Sequence, residues 1–351
     1  MFINFLNRIV YFFLNFKPRV LGYKNFIIAK NEILNIKKSN KKICLIYDLK
    51  TNPISIGNYC LMVFFARYLS IKGYQIYISI IESKKYKVSK KEIIEKKYIF
   101  KFFYKIPQIL VKKNLIEVKF LSWNEALKNI NDNKLYVFLK KIAYRRKLSP
   151  VVLINSILNN FALSDNKKFF ENFLIDEKIF KNFTNKKIEI FKKEKYISIL
   201  FRYDRHNPSR NTKKIEIIKI YNILNLKFPN IKILIISDYK GCIIAKNFLK
   251  NKKNVFFTSD FSLSIYSHIY MQLKSIICIA SHNSGGMLTW HYFSKCKFCF
   301  VNYMGITVRL KYNHYYLKDK IHPWWNKKQI FKTTNNLDDL INLIKNFNLG
   351  F

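Results

Sequence analysis

Glycine is scarce in this 351-residue chain, with only eight in all. No GxGxxG and no GxxxxGK[ST] occurs among them, which disfavours a dinucleotide fingerprint and a Walker-type nucleotide site. Acids are few as well: 21 Asp and Glu stand against 64 Lys and Arg, leaving a formal charge of +43. No uncharged apolar run of roughly 18 residues occurs, so a full membrane span is not expected. The six cysteines, at 44, 60, 242, 278, 296 and 299, make no framework for a small secreted fold, and four of them sit in apolar runs that read as core. A reduced compartment fits that usage. Cys296 and Cys299 form one CxxC, but no second pair stands at zinc-site spacing and the following FCFV reads as a buried strand. No metal site is therefore expected.

What is abundant points to a folded protein. Half of the residues are hydrophobic, 17% are aromatic and 24% are charged, a balance that excludes disordered, coiled-coil and collagen-like chains. The length suits two domains. So large a positive charge would attract polyanions such as nucleic acid, anionic lipid or phosphate-bearing substrates. A plainer source is also open, because Lys, Asn, Ile, Phe and Tyr dominate the chain and all have AT-rich codons.

Met1–Phe16 is apolar and aromatic with one charge, Arg8, and is followed by Lys17-Pro18-Arg19. It is too short to span a bilayer, and its basic cluster follows the apolar run, opposite to a signal peptide. Phe2, Phe5, Leu6, Ile9, Phe12, Phe13 and Phe16 recur at helical spacing. Such an amphipathic helix either lies in a membrane interface or docks on the protein itself. From Lys42, ICLIYDL, TNPISIG, a helical stretch 58–71 ended by Gly73, and YQIYISII read as a β-loop-α-turn-β unit. Residues 83–113 are lysine-rich and poorly patterned, and IEVKFL (116–121) and KLYVFL (134–139) read as further strands. A polar, helix-like linker follows. Then YISILF (196–201), IKILIIS (231–237), NVFFTS (254–259), IICIA (276–280) and FCFV (298–301) alternate with helical patterns at 212–227, 241–250, 261–274 and 284–294. The expected fold class is α/β, with two doubly wound Rossmann-like domains facing a cleft. Boundaries fall at a lead-in 1–40, a first domain 41–165, a linker helix 166–195, a second domain 196–335 and a C-terminal helix 336–351.

In such sheets ligands bind beyond the carboxyl ends of the strands, where helix N-termini offer N–H groups to anions. Three segments stand there. The first is Thr51, Asn52, Ser55 and Gly57 in TNPISIG. The second is Ser281-His282-Asn283-Ser284-Gly285-Gly286, whose bare backbone and small polar side chains suit a pyrophosphate. The third, FRYDRHNPSRN, carries Arg202, Asp204 and Arg205 at the end of a buried strand. Arginine's rigid fork matches phosphate oxygens, and Arg202 is nearest the strand. Each loop also has a bland reading, a tight turn or a solvated one. Asp48, Asp204, Asp238 and Asp260 follow strands, where most aspartates cap helices. Asp260 reads as such a cap, Asp238 as a cap or a nucleoside contact, and Asp48 and Asp204 as weak candidates for the catalytic base.

Taken together, the ICLIYDLKTNPISIGNYCLMVFFARYLSIKGYQ unit, FRYDRHNPSRN and SHNSGG resemble bacterial glycosyltransferases of the GT-B fold, of the surface-polysaccharide or lipopolysaccharide type. The likeness covers 43–81 and 196–348, with a faint similarity to fucosyltransferases, although their HxRxGD arginine motif is absent. It implies a nucleotide-sugar donor in the second domain, lined by Arg202, Arg205, Asn283, Ser284 and Gly285. It also implies a glycan or lipid-linked acceptor in the first, no cofactor and no obligatory metal. A cytoplasmic protein, peripheral at the inner face of an anionic membrane, would suit a lipid-linked acceptor. Two competing readings remain: a sugar-nucleotide epimerase of the same architecture, and a basic nucleic-acid-binding protein. The second draws on the charge and on 32 phenylalanines and 23 tyrosines, but most of these sit in strand and helix patterns and no nucleic-acid-binding signature appears, so nucleic acid is not the expected partner.

Overall fold

The computed structural model describes residues 31–32, 36, 41–52, 54–82, 90–140, 172–184, 188, 191, 193–204, 208, 211–261, 264–280, 290–291, 294–295, 298–302, 330–334 and 337–348. The N-terminal aromatic stretch, Arg205 and the whole of Ser281–Gly286 lie outside the described residues. The chain divides into two compact units, Met1–Phe173 and Leu174–Phe351.

The first unit holds β1 (Lys42–Asp48), α1 (Ile56–Ile71), β2 (Gln75–Ile81), α2 (Lys90–Val111), β3 (Leu115–Leu121), α3 (Trp123–Asp132) and β4 (Tyr136–Val137). All strands are parallel, in the order β3-β2-β1-β4. β1 and β2 are buried along almost their whole length, which is why they read as continuous apolar runs rather than alternating ones. Helix α1 buries Tyr59, Cys60, Met62, Val63, Phe64, Phe65 and Ala66 in near succession, so it is enclosed rather than surface-lying. It ends where expected: Gly73 takes φ +92°, and the Tyr74 N–H reaches back to the Leu69 carbonyl at 3.1 Å, a left-handed helix stop. Arg67 ties this helix to its neighbours by donating to the carbonyls of Leu110, Asn172 and Phe173 at 2.9–3.0 Å.

Three features of this unit depart from the sequence reading. The stretch read as unpatterned contains the 22-residue helix α2. Its later turns bury Phe102, Phe103, Ile106, Ile109 and Leu110 while exposing Lys101, Tyr104 and Lys105, a helical period that Pro107 and the many lysines obscured. Helix α3 begins in a capping box that SWNE spells out: Ser122 Oγ accepts from the Glu125 N–H at 3.4 Å, and Glu125 Oε2 accepts from the Ser122 N–H at 2.7 Å. The strand expected over 134–139 is only Tyr136–Val137, because Lys134 and Leu139 adopt φ of 49° and 55° and end the extended backbone on both sides.

The second unit holds β5 (Tyr196–Leu200), α4 (Lys214–Lys227), β6 (Lys232–Ile236), α5 (Tyr239–Phe248), β7 (Val255–Phe257), α6 (Ile265–Lys274), β8 (Ile277–Ala280), β9 (Phe298–Asn302), β10 (Ile330–Thr334) and α7 (Leu337–Lys345). Its strands are again all parallel, in the order β10-β9-β8-β5-β6-β7. Counted from β5, this is the 3-2-1-4-5-6 order of a doubly wound dinucleotide-fold sheet, and the first unit repeats its 3-2-1-4 portion. Two Rossmann-like units are thus the fold. Strand β10 was not anticipated. The expected linker helix 166–195 is not one helix: Ile175 leaves helical geometry to bridge Ser294, and Asp176 then starts a separate 3-10 segment, Glu177–Phe183, by accepting from the Lys178 N–H at 2.9 Å.

Side chains of the second sheet alternate between two layers. Ile197, Ile199, Ile233, Ile235, Ile277, Ile279 and Phe300 share one apolar core with residues of α4, α5 and α7. The opposite parity contains a different row, Ser198, Cys278 and Cys299, which are partners in register across β5, β8 and β9. Among the described residues no helix is long and apolar enough to cross a membrane.

Candidate functional site

The chain leaves β5 in one direction toward β6 and β7 and later returns to place β8 on its other side. The reversal falls between β5 and β8, whose ends are paired at Leu200 and Ala280. Crevices for ligands open beyond the carboxyl ends of strands at such a switch point. Arg202 stands two residues beyond β5, and Ser281–Gly286 follows Ala280 directly in the chain. Two of the three segments singled out from residue chemistry therefore follow the switch-point strands in the chain.

The first of them is closed at its neck. The Arg202 N–H donates to Thr212 Oγ1 at 3.0 Å, and the Thr212 N–H donates to the Arg202 carbonyl at 3.0 Å. Asn211 clamps the next rung, its Oδ1 accepting from the Asp204 N–H at 2.7 Å and its Nδ2 donating to the Asp204 carbonyl at 3.2 Å. Within that frame the Arg202 guanidinium pairs through Nη2 with Asp204 Oδ2 at 2.9 Å. The arginine side chain is 15% exposed and the aspartate 34%, so the guanidinium is held mostly out of water. Asp204 thus orients the arginine.

Support for Arg202 extends one strand outward. Ser237 Oγ donates to the carbonyl of Phe201 at 2.8 Å, and Thr258 Oγ1 donates to the Ser237 carbonyl at 3.0 Å. Gly241 makes room for this: a Cβ there would lie 1.9 Å from Ser237 Oγ and 3.0 Å from its Cβ. Asp238, read as a cap or a nucleoside contact, is the N-cap of α5 and accepts from the Gly241 N–H at 2.7 Å. Asp260 does not cap the next helix as expected. It closes a 3-10 turn and pairs with Lys246, and α6 starts from Ser264 instead.

The corresponding strand end in the first unit is β1, since β4 lies on its far side from β2. Asp48 is buried there, with Oδ1 accepting from the Lys50 N–H at 2.8 Å and Oδ2 from Trp123 Nε1 at 3.3 Å. Its carbonyl accepts from Thr51 Oγ1 and from Nδ2 of the fully buried Asn52. Asp48 and Asn52 therefore shape the loop from inside. Thr51 and Ser55 remain half-buried, Ser55 at the N-cap position of α1 and Gly57 buried in its first turn.

One constellation was not legible in the sequence. Cys278 on β8, Cys299 on β9 and His291 place their sulfur and ring-nitrogen atoms within 4.8 Å of one another, all buried. Burial pushes the Cys278 thiol up, but hydrogen bonding to Cys299, the charge and hydrogen bond of His291 and a hydrogen bond to Ser198 outweigh it and hold the group well below the usual thiol range. Cys44, also hydrogen-bonded to a serine but without such company, is instead pushed up to about 11, burial being the main cause. Among the described residues this is the set that could hold a metal; the CxxC spacing marked Cys299, whereas Cys278 and His291 come from elsewhere in the chain.

No protein-family profile matches the chain, and no curated protein matches it. Among solved structures it is similar to the family 9 glycosyl transferase of Veillonella parvula, at 8% identity over 87% of this chain and 89% of that one, with a TM-score of 0.48. It is similar to E. coli ADP-heptose LPS heptosyltransferase II, at 9% identity over 87% and 98%, TM-score 0.46. A third is E. coli heptosyltransferase WaaC with ADP, at 10% identity over 86% and 95%, TM-score 0.45. Nothing about chemistry transfers at so remote a likeness, and the fold class rests on the strand orders above.

Proposed function

We propose that the chain is a glycosyltransferase that moves a sugar from a nucleoside-diphosphate donor to a glycan or lipid-linked acceptor. The observation that carries this reading is Arg202, anchored in a closed loop neck and oriented by Asp204 at the switch point of the second unit. The reaction displaces a nucleoside diphosphate from the anomeric carbon, and negative charge grows on the leaving group as that bond breaks. A fixed guanidinium stabilises that charge, and backbone N–H groups of the Ser281–Gly286 segment are the second contributor, so no catalytic metal is invoked. Residues Arg202, Arg205, His282, Asn283, Ser284, Gly285 and Gly286 form the donor set in this reading. Thr51, Ser55 and Gly57 form the acceptor-side loop. The apolar segment 2–16 and its basic exit would bring the enzyme to the inner face of an anionic membrane, where a lipid-linked acceptor resides.

The test has two arms. A thermal-shift panel of nucleoside diphosphates and nucleotide sugars identifies the donor, since a ligand bound only by the native state at 100 times its Kd stabilises by about 2.7 kcal/mol. Incubation with that donor should then release free nucleoside diphosphate only when an acceptor extract is added. Interconversion of the sugar without release would assign an epimerase, and no stabilisation by any nucleotide would end the reading.

A further inference from the structure

The second sheet carries a buried polar row where a parallel sheet is normally apolar. Ser198, Cys278 and Cys299 are register partners on three adjacent strands, and Ser198 Oγ lies 2.8 Å from Ser275 Oγ behind them. His291 completes the cluster from a helical turn. Cys278 is 0%, His291 3% and Cys299 4% exposed. Two thiols and an imidazole in one closed place are a costly way to fill a core that Val and Ala would fill without polar atoms.

We infer that Cys278, His291 and Cys299 supply three of the four ligands of a bound Zn²⁺ ion. Thiolate and imidazole are the ligands this borderline-soft ion takes, and two thiolates neutralise its charge within the protein. Zn–S bonds of about 2.3 Å and Zn–N bonds of about 2.0 Å place tetrahedral ligand atoms roughly 3.5–3.8 Å apart. The three donors already lie within 4.8 Å, so contraction of at most about 1.3 Å brings them to those separations. Binding releases to solvent whatever protons the two sulfurs and the imidazole carry beforehand, and the ion adds its bonds to folding. The ion would fasten β8 to β9 and pin His291, five residues beyond Gly286 in the chain. It takes no part in sugar transfer, so the inference stands independently of the proposed function.

The test uses the full-length chain without a histidine tag, purified with no added metal. Elemental analysis should find about one zinc per chain, retained on dialysis. Replacement by Co²⁺ should give the intense charge-transfer absorption of a cobalt–thiolate bond. The double variant Cys278→Ser/Cys299→Ser should lose that absorption and lower the zinc content at least tenfold, and His291→Gln should weaken retention against a chelator. Less than a tenth of an equivalent of zinc, both as purified and after loading with Zn²⁺, would overturn the inference. So would stoichiometric zinc that the double cysteine variant keeps, a result that does not depend on how stably the variant folds.

Discussion

Arg202 and Asp204 make opposite predictions for one binding measurement. Arg202→Lys keeps the positive charge but loses the planar fork, and a lysine ammonium cannot reproduce bidentate phosphate contact. Its effect on folding should be small, about 1 kcal/mol or less, because the ion pair it breaks has a carboxylate one-third exposed and screened by water. Its effect on a diphosphate should be larger, about 1.5–3 kcal/mol for a lost charge-assisted hydrogen bond, or roughly 10- to 150-fold in Kd. Asp204→Asn removes a negative charge 2.9 Å from the guanidinium while leaving an amide oxygen to accept from it. The diphosphate then meets less repulsion, and affinity should rise by about 0.2–1 kcal/mol, up to roughly fivefold, with the gain shrinking as salt is added. Titration calorimetry with the nucleotide found by the thermal-shift panel measures the affinities, and urea denaturation measures the stabilities. Equal affinity of Arg202→Lys and the parent protein would remove Arg202 from the donor site. Parallel losses in both variants would mean that the pair serves only to close its own loop.

Gly241→Ala should destabilise the second unit by about 1–3 kcal/mol, since its Cβ would displace Ser237 from the hydrogen bond that holds Phe201; in a Ser237→Ala background the extra cost in urea denaturation should shrink but not vanish, because the 3.0 Å approach to the Cβ of residue 237 remains. Ser122→Ala should cost about 1 kcal/mol by removing the capping box of α3, and an unchanged denaturation midpoint would mean that the cap adds nothing to what packing already supplies. Gly285→Val should abolish nucleotide binding and Asn283→Ala only weaken it, measured on the folded fraction; normal affinity in folded Gly285→Val protein would show that the glycine serves the turn alone. Deleting residues 1–19 should move the protein from the pellet to the supernatant of anionic liposomes, and unchanged sedimentation would place the membrane contact elsewhere.

The strands were readable from sequence because parallel sheets bury both faces: KICLIYD, QIYISII and YISIL are mostly apolar. Helix α2 was less readable because lysines surround its buried face and a proline interrupts it. Residue chemistry also singled out the Arg202 loop and the Ser281–Gly286 segment, since an arginine fork and paired glycines at strand ends have few structural uses. Strand order could not be obtained that way. Nothing in a linear pattern states that β8 pairs with β5 rather than with β7, and this non-local pairing is what puts the ends of both strands at one switch point. The local roles of the aspartates show only in three dimensions: Asp48 is engaged by Trp123, 75 residues away, while Asp238 caps its own helix. Cys278, His291 and Cys299 are the extreme case, because period-two alternation fixes only which side of its own strand a residue occupies. Pairing of β8 with β9 then sets two of those sides edge to edge, and the fold brings the histidine onto them.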